Sequence, residues 1–106
     1  MNPSLHPRNA DLAQRTLHVI CYDIASSRIR GRVAARLEAR GVRVQRSVYE
    51  LWLTTAQARR LGKELGEILE PGDSLRIYPL SNRSLGRVQT KGPGLAPHAL
   101  GDVLIF

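Results

Sequence analysis

The sequence has one cysteine, Cys21, among its 106 residues. No intramolecular disulfide can form and no cysteine cluster can hold zinc. A reducing, cytoplasmic setting is expected. Aromatic residues are scarce, five in all, too few to furnish an open sheet with stacking rings and still build a core. No apolar run approaches the length that spans a bilayer, and residues 1–15 lack the apolar segment of a signal peptide. No membrane association is expected. The three histidines, His6, His18 and His98, have no metal-ligand spacing, and His18, inside an apolar run, reads as a packed residue. Gly92-Pro93-Gly94 lacks the Lys-Ser/Thr of a phosphate loop. Acids are also few, nine against sixteen bases, which leaves a net charge of +7.

Fourteen of the sixteen bases are arginine, whose planar fork matches phosphate oxygens. A polyanionic partner is expected, nucleic acid above all, although charge alone does not separate DNA from RNA. The length allows one domain, and a chain this small gains stability by associating with a second copy.

Residues 1–15 read as an extension without periodicity. TLHVICYD, Thr16 to Asp23, reads as a strand covered on both faces. Ser26 or Ser27 caps a helix expected to run to Arg40 and to stop at Gly41. Ile29, Val33 and Leu37 make its buried stripe. Arg28, Arg32, Arg36 and Arg40 recur every fourth residue beside it. Glu38 is the one acid in that segment, so pairing along the helix does not account for the row.

VRVQRSVYELWLT, residues 42–54, reads as one bent strand or two short ones broken near Ser47. Thr54 or Thr55 caps a second helix to about Glu70, with Ala58, Leu61, Leu65, Ile68 and Leu69 on its apolar face. Gly62 and Gly66 within it suggest close packing against a sheet. Pro71-Gly72-Asp73 is a turn and SLRIYPL, residues 74–80, a strand that ends or lies on an edge at Pro79. Beyond Ser81 the chain reads as loop, with a short strand expected at 85–90 and a last apolar strand, VLIF, at 103–106. That strand needs a sheet edge, its own or a partner's. The order suits a ferredoxin-like α+β sandwich, βαββαβ, with helices on one face of an antiparallel sheet and an extra C-terminal strand.

Asp23 closes the first strand, and three roles are open to it: a turn or cap residue, a salt-bridge partner for a nearby arginine, or a metal ligand. No second acid lies close in sequence, and Glu50, Asp73 and Asp102 have no ligand spacing. One chain therefore supplies no complete metal site. If a two-fold axis passes near the end of this strand, Asp23 meets its copy and two carboxylates can share a Mg²⁺. Cys21 reads as a small buried hydrophobe and Trp52 as a packing residue. Tyr49, like Trp52, is a candidate for stacking on a base.

YDI (Tyr22-Asp23-Ile24) at the end of the first strand, GVRVQRSVYE (Gly41 to Glu50) after the first helix, and SLRIYPL together resemble the small CRISPR-associated "Cas-two" family of the spacer-acquisition machinery, over about residues 16–106. The resemblance implies a ferredoxin-like homodimer with facing sheets, in which residues 16–80 form the core and 81–106 reach the partner subunit. It implies Mg²⁺- or Mn²⁺-dependent endonuclease activity on single-stranded RNA or double-stranded DNA, and bridging of two Cas-one integrase dimers. The family's metal-binding aspartate falls on Asp23, its first-helix arginine on Arg30, its serine on Ser47 and its aromatic on Tyr49. Arg28, Arg30, Arg32 and Arg36 are the expected phosphate contacts. The segment IASSRIR departs from the family pattern: Ser26 and Ser27 stand where acids are common, which implies weaker metal affinity. A non-catalytic DNA-binding adaptor and an RNA-binding ferredoxin-like module outside CRISPR are the rival expectations.

Overall fold

The computed structural model describes residues 14–92. The extension before Gln14, Asp102 and the expected terminal strand at 103–106 lie outside the described residues. Seven elements follow one another: β1 (Thr16–Asp23), α1 (Ser27–Glu38), β2 (Val42–Gln45), β3 (Val48–Leu53), α2 (Thr55–Ile68), β4 (Ser74–Leu80) and the single turn α3 (Asn82–Leu85). The four strands form one sheet in the order β2-β3-β1-β4, and every pairing is antiparallel. This is the expected α+β arrangement.

Strand alternation sorts the side chains. Ile20 and Tyr22 of β1 and Tyr49, Leu51 and Leu53 of β3 face the helices. They meet Ile29, Val33 and Leu37 of α1 and Leu61 and Leu65 of α2 in one buried cluster. The opposite face carries a smaller cluster of Leu17 and Trp52, flanked by Leu80 and Leu85. Both helices thus cover one face of the sheet.

Local chemistry sets the element ends. The Ser26 hydroxyl accepts from the Ile29 N–H at 3.3 Å to cap α1. Thr54 caps α2 through a reciprocal box with Gln57, at 3.1 and 2.8 Å. β4 is an edge strand, which tolerates Pro79 opposite His18. The break after β2 falls at Arg46-Ser47.

Three expectations are corrected. α1 ends at Glu38, and Gly41 is not a left-handed cap: positive φ among the described glycines belongs to Gly72 and Gly92. Gly41 is needed because β3 passes so close that a Cβ there would collide with the Glu50 carbonyl oxygen and the Leu51 side chain. In α2, a Cβ at Gly62 would make an ordinary 3.5 Å contact with Ile77, and one at Gly66 would meet nothing within 4 Å, so neither glycine is demanded by packing. The expected strand at 85–90 is absent. Ser81 instead caps α3 through the Ser84 N–H, and the chain leaves it in a turn.

Candidate nucleic-acid interface at the end of β1

β1 delivers Asp23 to its end as an exposed residue. The alternation that buries Tyr22 among the helices turns Asp23 toward the other face, in register with Ser74 of β4. The next residues are held tightly. The Arg30 guanidinium reaches back one turn and donates from Nη1 to the Ile24 and Ala25 carbonyls, at 3.0 and 2.9 Å. The Asp73 carboxylate accepts from the Ala25 N–H at 3.2 Å through Oδ1 and from the Glu70 N–H at 2.9 Å through Oδ2. Both sides of Ala25 are therefore fixed, and with them the exit of the chain from Asp23.

A cleft of about 570 Å³ opens at this corner. Asp23, Ser27 and Arg30 line it from the β1–α1 corner, and Arg43, Arg46 and Ser47 from the β2–β3 side. The structure thus brings three of the family-matched positions, Asp23, Arg30 and Ser47, to one cleft. Ser47 contributes through its carbonyl, which accepts from the Tyr22 N–H at 3.1 Å. Arg76 on β4 lies opposite Cys21 on the Asp23 face of the sheet, two positions along from the Asp23–Ser74 pair. It donates to the Tyr78 hydroxyl at 3.1 Å.

Tyr49 stands behind the cleft and is fully buried. It stacks on Tyr22 with centroids 6.3 Å apart. Its hydroxyl donates to Glu38 at 3.0 Å and accepts from Arg43 Nε at 2.7 Å. The Arg43 guanidinium also lies 5.4 Å from the ring centroid. Burial, countered in part by the Arg43 hydrogen bond, pushes the phenol up to about 12. A ring in this position is unavailable to stack on a base, which corrects that expectation. Trp52 is buried as expected, and its indole N–H has no hydrogen-bond partner. His18 is also buried, with Nδ1 2.8 Å from the Thr16 carbonyl oxygen. Cys21 is only half-buried, because it points to the sheet face away from the helices.

The arginine row on α1 is not the uncompensated strip the sequence suggested. Arg36 Nε donates to Glu64 at 2.9 Å, Arg40 approaches the same carboxylate at 3.9 Å, and Arg28 reaches Glu70 at 3.4 Å. The acids come from α2 and from just past its end, alongside α1 on the sheet, so pairing along one helix could not reveal them. Of the four, Arg32 alone makes no ion pair among the described residues. Sequence reasoning missed Arg43, Arg46, Arg76 and Asp73. Arg43, Arg46 and Arg76 stand inside the quoted motifs, whereas Asp73 looked like an ordinary turn residue.

No group of three or more His, Cys, Asp or Glu side chains among the described residues is placed to hold a metal ion. One exposed carboxylate supplies one ligand, and the donor set fits Mg²⁺ only if water, phosphate and another carboxylate complete it. No helix among the described residues is long and apolar enough to cross a membrane.

The family described as CRISPR associated protein Cas2 matches residues 16–88. A CRISPR-associated endoribonuclease Cas2 of Synechocystis is 40% identical over 90 residues, covering 84% of this chain and 98% of its own length. A hypothetical protein of Thermus thermophilus, solved by crystallography, superposes with a TM-score of 0.70 at 34% identity, over 79% of this chain and 99% of that one. A chain in a partial Cas6-RT-Cas1–Cas2 complex gives 0.62 at 26% identity, over 71% of this chain and 89% of its own. With the family match spanning most of the described fold and a relative this similar nearly end to end, the chain belongs to the Cas2 family.

Proposed function

We propose that the chain acts in CRISPR spacer acquisition as a homodimer that binds nucleic acid, bridges Cas1 integrase dimers and hydrolyses phosphodiesters at the Asp23 corner. The observation that carries this reading is the clamped corner itself. Asp23 is exposed at the mouth of a cationic groove, and the chain leaving it is fixed by Arg30 and Asp73. Such a constellation positions a carboxylate against a phosphate backbone. The similar chain within a Cas1–Cas2 complex supports the integrase partnership, and the relative named an endoribonuclease supports phosphodiester cleavage.

The second copy belongs on the sheet face that α1 and α2 leave open. Val19, Cys21, Val48 and Glu50 are only half-buried there, and Tyr78 is 47% exposed. Burying such a strip against another copy suits a small domain. Asp23 at the end of that face then approaches its counterpart, and the two Asp23 carboxylates would be the protein's ligands to Mg²⁺ or Mn²⁺. When bound, the ion supplies a water of lowered pKa and neutralises phosphate charge. Arg30 keeps the corner rigid, Ser47 supports it from the β2–β3 turn and Tyr49 from β3, and Arg32 with Arg46 and Arg76 offers guanidinium forks to phosphate oxygens. Arg28 and Arg36 join that surface by exchanging their exposed carboxylate partners for phosphate, since such pairs contribute at most about 1 kcal/mol.

A purely structural adaptor is the second reading, favoured by the ratio of several arginines to one carboxylate in the cleft. Incubating labelled single-stranded RNA and duplex DNA with wild type and Asp23→Ala, with Mg²⁺ or Mn²⁺, separates the two. Cleavage lost in the variant supports the enzyme. Absence of cleavage in both, with salt-sensitive DNA binding kept, supports the adaptor.

A further inference from the structure

A second cleft lies at the other end of the sheet, where β1 begins. β1 is eight residues long, so the two ends are about 23 Å apart at the rise of a strand. This cleft measures about 290 Å³, near the small end of ligand pockets. Trp52 and Leu53, at the end of β3, give it an apolar wall, and Gln57, Arg60 and Glu64 line it from one side of α2. Arg40 lines it from just past α1, and Arg15 lines it beside the start of β1.

The polar groups here favour an anion. Among the described residues Glu64 is the one acid lining the cleft, and its Oε1 already accepts from Arg36 Nε at 2.9 Å. Its Oε2 has only the 3.9 Å approach of Arg40, which leaves most of the Arg40 donors unused. Arg60 makes no ion pair among the described residues. The capping box holds the Gln57 carbonyl oxygen on the Thr54 N–H at 2.8 Å, so the side-chain amide presents its two N–H donors from a fixed position. Guanidinium forks and a fixed amide beside the apolar end of β3 match a phosphate with a sugar or base behind it. The volume suits one nucleotide and excludes a duplex.

We propose that this cleft is a phosphate site for a nucleotide unit, met either as a free mononucleotide or as the 5′-phosphorylated end of a strand. It is separate from the Asp23 corner and does not depend on cleavage there. Trp52, the only tryptophan in the chain, is among the residues lining the cleft, so its fluorescence is one readout of binding there.

The experiment titrates the full chain with thymidine 5′-monophosphate and with short oligothymidylates bearing or lacking a 5′-phosphate, at constant ionic strength, with equilibrium dialysis alongside. The expected result is saturable binding that weakens about tenfold in Arg60→Gln and stays within twofold, or about 0.4 kcal/mol, in Arg59→Gln, the adjacent exposed arginine. Asp23→Ala binds as wild type does. Tighter binding of the phosphorylated strand than of the mononucleotide assigns the site to strand ends; equal or weaker binding assigns it to free nucleotides. No saturable binding by either method, or equal weakening by the two arginine variants, overturns the proposal.

Discussion

Ala25 has its N–H held by Asp73 and its carbonyl by Arg30, so these two residues shape the corner through its backbone. Asp73→Ala removes at once the acceptor of two backbone N–H groups, those of Ala25 and Glu70, and a loss of about 1–2 kcal/mol in chemical denaturation is expected. Arg30 has a part that sequence alone did not disclose: its position matched a family arginine, but its bonds go to its own backbone. Tyr49 carries the pH dependence. Its folded-state value of about 12 exceeds the ordinary 10, so the neutral phenol is the form the fold favours. That stability is complete below pH 10 and declines as pH rises through about 12. Denaturation curves of wild type should fall across this window, and Tyr49→Phe should be less stable at neutral pH by about 1–2 kcal/mol yet show a flatter decline. Equal slopes in the two proteins contradict the assignment.

Among the elements, α2 tolerates a gain. Gly66 is an exposed helix-interior glycine around which a Cβ meets nothing within 4 Å. Gly66→Ala should therefore stabilise by about 1 kcal/mol, read as a raised denaturation midpoint. Gly41→Ala should do the reverse, costing about 2–3 kcal/mol, because the new methyl collides with the β3 backbone and with Leu51. The bounds of β1 and β4, the capping serine and threonine and the break before Ser47 were legible, since alternation, caps and turns are local signals. The single-turn α3 was not, because a four-residue helix has too little period to register. Nor was the pairing of α1 arginines with Glu64 and Glu70, which depends on how two helices lie side by side on the sheet.

At the scale of the whole molecule, helices close one face of the sheet and leave the other to a cluster of four apolar residues and a half-buried strip. Charge is distributed to match. Ion pairs join α1 to α2 on the helical side, whereas Arg46, Arg76 and Arg32 make no ion pair among the described residues. Binding of duplex DNA should consequently fall steeply with salt and differ little between unrelated sequences. The candidate site was legible as far as Asp23, Arg30 and Ser47, through the resemblance of the segments that carry them to the family pattern. Its cationic lining was not, since Arg43, Arg46 and Arg76 converge only once β2, β3 and β4 are in place. The central claim is that Asp23, set at the end of β1, carries phosphodiester chemistry with its counterpart in a second copy. The most direct measurement is cleavage of labelled RNA and DNA by mixed dimers of wild type and Asp23→Ala, with the dimer verified by light scattering. The account predicts that one substituted subunit is enough to abolish cleavage while dimerisation and DNA binding persist. Half-maximal cleavage by the mixed dimer would mean that each Asp23 acts alone, and undiminished cleavage by the doubly substituted dimer would remove Asp23 from the chemistry.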